Sequence, residues 1–258
     1  MKRVFAAATL ALAALTAALA QQQQSVPQPA RTPAAPARPA QTQPAPSQTP
    51  SQPSPAQTPA QSQPAAQPSP NPHPQRTADG HEFAPLEERA LDYKNWTLRR
   101  AAGDGEIDLR EWARGKRLVM VVYFAPWCGN WRLEKPVVAR LYEKYHPQGF
   151  DVIAVSNYAP IAELRQSLEV FPLPYPVVVE SDSFDAREKT THFDYRTRTG
   201  DARKWGSPYN VILEPARLAR SGDVLAEKVW VVGGELVESE VERFIRERLG
   251  LPKLEAAK

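Results

Sequence analysis

Cysteine is nearly absent from this 258-residue chain, because Cys128 is the only one. A single cysteine cannot form a disulfide within its own chain, so the thiol is buried and inert, paired with another chain, or reactive. The four histidines, His73, His81, His146 and His192, are scattered without the spacing of metal ligands. The sequence therefore predicts no metal site and no cofactor.

The N-terminal part of the chain lacks acidic residues up to position 76, and residues 21–76 also lack Phe, Trp and Tyr. Residues 21–76 contain 16 of the 27 prolines, together with many Gln, Ala, Ser and Thr residues. Such a segment cannot bury enough apolar surface to offset its ordering entropy, and its prolines favour an extended conformation. We predict a disordered Pro/Gln/Ala-rich tether here. A ligand for a Pro-binding domain is the alternative, but no P-x-x-P motif with flanking basic residues supports it.

Residues 1–20 are typical of a secretory signal peptide. Lys2 and Arg3 are basic, residues 4–19 are apolar, and Ala18-Leu19-Ala20 offers small residues for cleavage. The run is rather short for a membrane span, which needs about 20 apolar residues. We predict a periplasmic or secreted protein, with an uncleaved membrane anchor as the alternative.

Residues 77–258 are long enough to form one folded domain. They carry 27 basic and 29 acidic residues, a net charge of −2, so electrostatics gives no reason to expect nucleic acid as a partner. Apolar runs alternate with helical patterns, which indicates the α/β class. The predicted strands are residues 117–124, 150–156, 177–179, 209–213 and 227–232. The last two are expected to form an antiparallel hairpin.

Three helices are predicted. The first follows Cys128 and has Glu134 on its polar face and Pro136 inside it. Its predicted apolar face consists of Leu133, Val137, Val138, Leu141, Tyr142 and Tyr145. The second covers residues 161–170. The last begins with a capping box formed by Ser239 and Glu242, and buries Val241, Phe244, Ile245 and Leu249. Residues 181–205 fit no clear pattern, and their Arg and Lys side chains are interpreted as a solvated surface.

The segments LVMVVYFAPWCGNW and FDVIAVS, and Ser207-Pro208 followed by YNVIL, occur in an informative order. Together with Gly115-Lys116 and Pro136, they resemble the exported TlpA-type thiol-disulfide oxidoreductases of thioredoxin fold, from about Trp96 to Leu249. The resemblance implies a three-layer α/β/α sandwich with a central mixed sheet. It also implies a cis peptide bond before Pro208, facing Cys128.

The chain departs from that family at two positions. Trp131 stands where the motif W-C-x-x-C has its second cysteine, and Val122 stands where thioredoxins proper have a buried acid. Without a second thiol, a mixed disulfide at Cys128 has to be released by an outside thiol. The resemblance therefore implies the fold more strongly than it implies dithiol chemistry.

Two functional hypotheses follow. In the first, Cys128 is a catalytic nucleophile at a helix N-terminus, where anions are favoured. It would exchange thiols and disulfides with protein or peptide substrates, with a small thiol able to recycle it. Substrate would be bound by a set of residues around the thiol: Trp127, Gly129, Asn130, Trp131, Ser207 and Pro208.

The second hypothesis is a redox-silent, chaperone-like binding module that has kept the fold and lost the dithiol cycle. Trp131 allows two interpretations, because it either forms an apolar surface patch with Trp127 or shields the thiol. Cys128 could also link two copies of the chain as a dimer. Replacing Cys128 with Ser separates the two hypotheses, because only the first predicts loss of function.

Overall fold

The computed structural model describes residues 75–254 of the chain. The predicted signal peptide and all but the last two residues of the predicted tether lie outside the described residues. Those last two residues form a short strand, Gln75–Arg76, instead of continuing the tether. The described residues belong to a single unit of the chain. No helix among them is long and apolar enough to cross a membrane.

Within residues 75–254 five strands precede the first α-helix, strands and α-helices then alternate, and three strands precede the last α-helix. The strands are β1 (Gln75–Arg76), β2 (Glu82–Ala84), β3 (Glu87–Lys94), β4 (Thr97–Arg100), β5 (Glu106–Asp108), β6 (Leu118–Phe124), β7 (Phe150–Ser156), β8 (Val177–Val179), β9 (Tyr209–Leu213), β10 (Val224–Val232) and β11 (Glu235–Leu236). The α-helices are α1 (Leu109–Ala113), α2 (Gly129–Tyr145), α3 (Ile161–Val170), α4 (Thr191–Arg198) and α5 (Glu238–Arg248).

Eight of these strands form one mixed sheet in the order β3-β10-β9-β6-β7-β8-β4-β5. Strands β6, β7 and β8 are parallel to one another, whereas β9 is antiparallel to both β6 and β10. The predicted hairpin of β9 and β10 is therefore confirmed, although β10 begins at Val224 instead of residue 227. A separate small sheet has the order β1-β2-β11.

The central strands are mostly apolar because helices cover both faces of the sheet. Every residue of β6 and β7 is buried. Alternate side chains of β6 point to opposite cores: Met120 and Val122 pack in the core with α2, α3 and α5, whereas Val121 and Tyr123 pack with α1 and α4. This arrangement is the predicted thioredoxin-like three-layer α/β/α sandwich with a central mixed sheet.

Two predictions about the helices are wrong. Helix α5 begins at Glu238 with Val237 in the capping position, so Ser239 lies inside the helix, and no side chain caps its N-terminus. Glu242 accepts a hydrogen bond from Tyr145 (2.6 Å) and pairs with Lys144 (2.5 Å) instead of closing a capping box. Tertiary contacts with α2 have thus replaced the local motif. The predicted apolar face of α5 is confirmed, because Val241, Phe244, Ile245 and Leu249 are all buried.

The apolar face of α2 is also shifted from the predicted one. The buried residues are Trp131, Glu134, Val138, Leu141 and Tyr145, spaced alternately three and four apart. Leu133 is 40% exposed, while Glu134 is only 1% exposed. The prediction that Glu134 lies on the polar face is therefore wrong, because an acid occupies a position on the core-facing stripe.

Candidate functional site

The site is centred on Cys128, which lies between β6 and α2. It occupies the N-cap position of α2, with extended backbone angles of φ −69° and ψ 128°. Its side chain makes no capping hydrogen bond to the helix. Instead, Sγ donates to the carbonyl oxygen of Ser207 at 3.2 Å, and the residue is 8% exposed. The thiol thus faces a second loop, and Cys128 is buried.

That second loop contains Ser207 and Pro208, directly before β9. Strands β6 and β9 are neighbours, with Tyr123 opposite Tyr209, so the loop at the end of β6 lies beside the loop that precedes β9. The Ser207–Pro208 peptide bond is cis, which confirms the prediction. The Ser207 hydroxyl accepts a hydrogen bond from the backbone N–H of Ala125 at 3.0 Å and ties the two loops together.

Arg203, which belongs to the segment predicted to be a solvated surface, lies at this site. Arg203 donates from Nη1 to the Ser207 carbonyl (3.3 Å) and from Nη2 to the Pro208 carbonyl (2.9 Å), while Nη2 and Nε donate to the Asp201 carboxylate at 2.7 and 3.0 Å. Burial opposes the charge, but the hydrogen bonds to Asp201 and the nearby carboxylates outweigh it and raise the pKa of Arg203. The Ser207 carbonyl oxygen therefore accepts hydrogen bonds from both the Cys128 thiol and the Arg203 guanidinium.

A second arginine and a histidine support the same loop from within the protein. Arg196 is 4% exposed and donates to the backbone carbonyls of Asp201, Arg203 and Lys204. His192 is fully buried, and burial followed by the charge of Arg196 lowers its pKa to about 3. The interpretation of residues 181–205 as a solvated surface is therefore wrong for Arg196 and Arg203, because both charges satisfy loop carbonyls.

The neutral His192 ring links the loop to a neighbouring tyrosine. Its Nε2 lies 3.0 Å from the Gly206 carbonyl, which can only accept, so Nε2 carries the proton. Its Nδ1 then accepts from the Tyr158 hydroxyl at 2.9 Å. The Tyr158 carbonyl in turn accepts from Trp127 Nε1 at 2.8 Å. Hydrogen bonds through His192 and Tyr158 thus connect Gly206 with Trp127.

Three aromatic side chains form an aromatic surface beside the thiol: Trp127, Phe184 and Trp205. Their ring centroids are 5.3 to 5.7 Å apart. Phe184 is 46% exposed, and both tryptophans are half-buried. Arg187 and Lys204 each lie 5.4 Å from the centre of the Trp205 ring. The surface is apolar at its centre and carries cations at its rim.

Trp131 does not belong to this surface. It is 2% exposed and its ring lies 4.5 Å from that of Phe124 in the core under α2. The prediction that Trp131 contacts substrate, as part of a patch with Trp127, is therefore wrong. The alternative interpretation, in which Trp131 closes the site from below, agrees with its position in the hydrophobic core that also contains Cys128.

The other predicted substrate-binding residues surround the thiol with different degrees of exposure. Gly129 is exposed, Asn130 is half-buried, and Ser207 and Pro208 are buried. Asn130 donates from Nδ2 to the Glu235 carboxylate at 2.7 Å and lies 3.4 Å from the Gly80 carbonyl. The structure thus brings these residues together around Cys128, but Asn130 is already engaged by the N-terminal segment of the domain.

Glu134 is a buried acid that the sequence analysis missed. Its Oε2 accepts from the backbone N–H of Leu236 (2.8 Å) and from Asn210 Nδ2 (3.3 Å), and its Oε1 has no hydrogen-bond partner. Burial outweighs these hydrogen bonds and raises the pKa of Glu134 to about 8. The signal was available, because Trp131, Glu134, Val138 and Leu141 repeat with the core-facing period of a helix.

The part of the chain that the structure describes contains no cluster of three or more His, Cys, Asp or Glu side chains able to hold a metal ion. No family model matches the chain. No curated protein matches it either.

Solved structures do resemble the chain, at low sequence identity. One is a thiol:disulfide interchange protein of the thioredoxin family from Chlorobium tepidum TLS, with 17% identity, a TM-score of 0.45, and coverage of 63% of this chain and 98% of that one. Another is a secreted Mycobacterium tuberculosis disulfide oxidoreductase, with 11% identity, a TM-score of 0.39, and coverage of 60% and 94%. A DsbF homologue from Corynebacterium diphtheriae has 13% identity, a TM-score of 0.43, and coverage of 62% and 87%.

Proposed function

We propose that this protein is an exported monothiol protein that exchanges thiols and disulfides with protein substrates through Cys128. The observation that supports the proposal best is the position of the thiol. Cys128 begins α2 and its Sγ lies 3.2 Å from the carbonyl oxygen of Ser207. Backbone N–H groups at a helix N-terminus favour an anion, and the thiolate is the nucleophilic form of cysteine.

The proposed reaction has two balanced steps. The Cys128 thiolate attacks one sulfur of a substrate disulfide, the substrate S–S bond breaks, and a mixed disulfide forms while the other substrate sulfur leaves as a thiolate. A second thiolate, from the substrate or from a small thiol, then attacks the mixed disulfide and releases Cys128 as a thiolate. The cycle uses no cofactor, and it permits isomerisation and thiol transfer.

The proposed substrate contacts are Trp127, Gly129, Asn130, Ser207 and Pro208. The aromatic surface adds Phe184 and Trp205, whose apolar rings suit an unfolded or extended protein segment. The proposed export depends on residues 1–20, with their basic start and apolar centre. A membrane contact is proposed only for a chain that keeps this segment, and two chains could pair through Cys128.

A redox-silent binding module is the second candidate. The observation in its favour is the low exposure of Cys128, 8%, beside a core that contains Trp131. Free cysteine in such a setting can act as a small apolar side chain. In this case the aromatic surface would bind a partner without any exchange.

The test is the reaction of the purified protein with a small aromatic disulfide that releases a coloured thiolate. The proposal predicts release of one equivalent from the folded chain and none from Cys128→Ser or Cys128→Ala. A peptide disulfide should then give a mixed disulfide detectable by mass. Reaction of the wild-type thiol only after denaturation would leave the binding module as the function.

A further inference from the structure

A short segment at the start of the domain, residues 80–84, contacts Asn130 and Arg203 near Cys128 and is called the strap. Its strand β2 lies between β1 and β11, and Phe83 and Ala84 pair in parallel with Glu235 and Leu236. The strap lies so close to the turn before β11 that a Cβ added at Gly234 would be 2.6 Å from the Glu82 carbonyl oxygen. Glycine at position 234 therefore lets the strap occupy its place.

A buried carboxylate holds the strap on one side. Glu235 is 2% exposed. It accepts from the backbone N–H of Glu82 at 2.8 Å, and its other oxygen lies 2.5 Å from His81 Nδ1. The oxygen that binds Glu82 also accepts from Asn130, two residues after Cys128, at 2.7 Å. The strap and the first turn of α2 thus share one carboxylate.

The strap is also connected to the loop on the other side of the thiol. The Glu82 carboxylate lies 3.6 Å from Arg203 Nη1. The same nitrogen donates to the Ser207 carbonyl at 3.3 Å, and Cys128 Sγ donates to that carbonyl at 3.2 Å. The strap therefore contacts residues on both sides of Cys128, whose exposure is only 8%.

We propose that residues 80–84 act as an intramolecular competitor of the substrate, occupying the position at Cys128 that an extended substrate segment has to take. The inference rests on the proposed function, because it concerns access to the same thiol. A strand that approaches the thiol would meet Asn130, Gly234 and Arg203, the residues that now bind the strap. The substrate class that fits is an extended chain segment, with an acidic side chain next to its disulfide able to replace Glu82 on Arg203.

Gly234→Ala tests the proposal without replacing any residue of the strap, the thiol or any charged side chain. The added methyl group collides with the Glu82 backbone, whereas Gly233→Ala is a matched control because nothing lies within 4 Å of a Cβ at that position. Hydrogen–deuterium exchange at residues 80–84 reports strap opening. The rates of Cys128 alkylation by iodoacetamide and by a polyethylene-glycol maleimide report access to the thiol. All measurements use the full chain in the folded state.

The expected result is faster hydrogen exchange in the strap and a roughly tenfold faster reaction with the bulky maleimide in Gly234→Ala, with wild-type rates in Gly233→Ala. Where Gly234→Ala does not fold, Glu82→Gln replaces it, with Glu88→Gln on β3 as its control. An unchanged maleimide rate in a variant whose strap opens would overturn the proposal.

The outcomes also separate this inference from the proposed function. Faster alkylation without mixed-disulfide formation would leave the strap as a cover and remove the exchange activity. An unchanged alkylation rate combined with normal thiol-disulfide exchange would keep the exchange activity and remove the strap as a competitor of the substrate. A thiol that is unreactive in every folded variant with an open strap would overturn both.

Discussion

The two tryptophans near Cys128 lie in opposite environments. Trp127 precedes the thiol, is half-buried and contacts the rings of Phe184 and Trp205 at 5.7 and 5.3 Å. Trp131 follows the thiol by three residues, is 2% exposed and packs on Phe124. Residues of the same type on either side of one cysteine therefore lie in an aromatic surface in one case and in the core in the other.

The difference comes from the backbone at each position. Trp127 lies in the loop before α2, where the side chain can spread over the surface, whereas Trp131 lies in the first turn of the helix. Position 131 belongs to the same core-facing stripe as Glu134 and Val138. Three residues after Cys128 the chain thus has a large core residue, so the open side of the site is the side that contains Trp127.

Truncating the two tryptophans should give the largest contrast between the two sides. Trp131→Ala is expected to lower the free energy of unfolding by about 3–5 kcal/mol, because it leaves a cavity in a packed core. Trp127→Ala should cost about 1 kcal/mol, as is usual for a side chain that is partly in solvent. Urea unfolding followed by circular dichroism measures both, and equal losses would contradict the comparison.

The stability of the protein should also depend on pH, because Glu134 is buried on the packed side of the site. Its pKa is about 8 in the folded protein against an ordinary value of 4.5, so the folded chain holds a proton that the unfolded chain releases between these values. Stability should therefore fall as the pH rises from about 4.5 to about 8, by at most roughly 5 kcal/mol, and level off above that range.

Glu134→Gln keeps the shape of the side chain and removes this titration. The loss of stability between pH 5 and pH 8 should become smaller in this variant, as measured by urea unfolding at both values. Glu143→Gln, at an exposed position on the same helix, serves as the control and should keep the wild-type dependence. If both variants followed the wild-type curve, Glu134 would not hold a proton in the folded state.

A substitution on the open side should have a smaller effect, and this effect on the rate of exchange should depend on the substrate. Trp205→Ala removes the ring that contacts both Trp127 and Phe184, and is expected to slow exchange with an apolar peptide disulfide roughly tenfold. The rate with a small-molecule disulfide should be unchanged. Trp112→Ala, a half-buried tryptophan on α1, is the matched control. Equal slowing with both disulfides would point to damage at the thiol instead of lost recognition.

Much of the fold followed from local patterns. The apolar runs of β6 and β7 and the motif around Cys128 predicted the central parallel strands, and the thiol at the start of α2. The polar segment 181–205 could not be predicted in this way, because Arg196 and Arg203 have their partners in the backbone of the same loop. An arginine that donates hydrogen bonds to backbone carbonyls follows no periodic pattern, so the sequence does not reveal that it is buried.

The sequence by itself determined the single thiol at a strand-to-helix turn and the order of eight elements, which are β6, α2, β7, α3, β8, β9, β10 and α5. These are properties of neighbouring residues, and hydrophobic period and residue type are sufficient to reveal them. The tertiary structure alone decided that Trp131 and Glu134 face the core, that Arg203 donates to the carbonyl beside the thiol, and that residues 80–84 contact Asn130 and Arg203. These contacts join segments far apart in the chain, and their energies depend on burial and distance, which no local pattern contains.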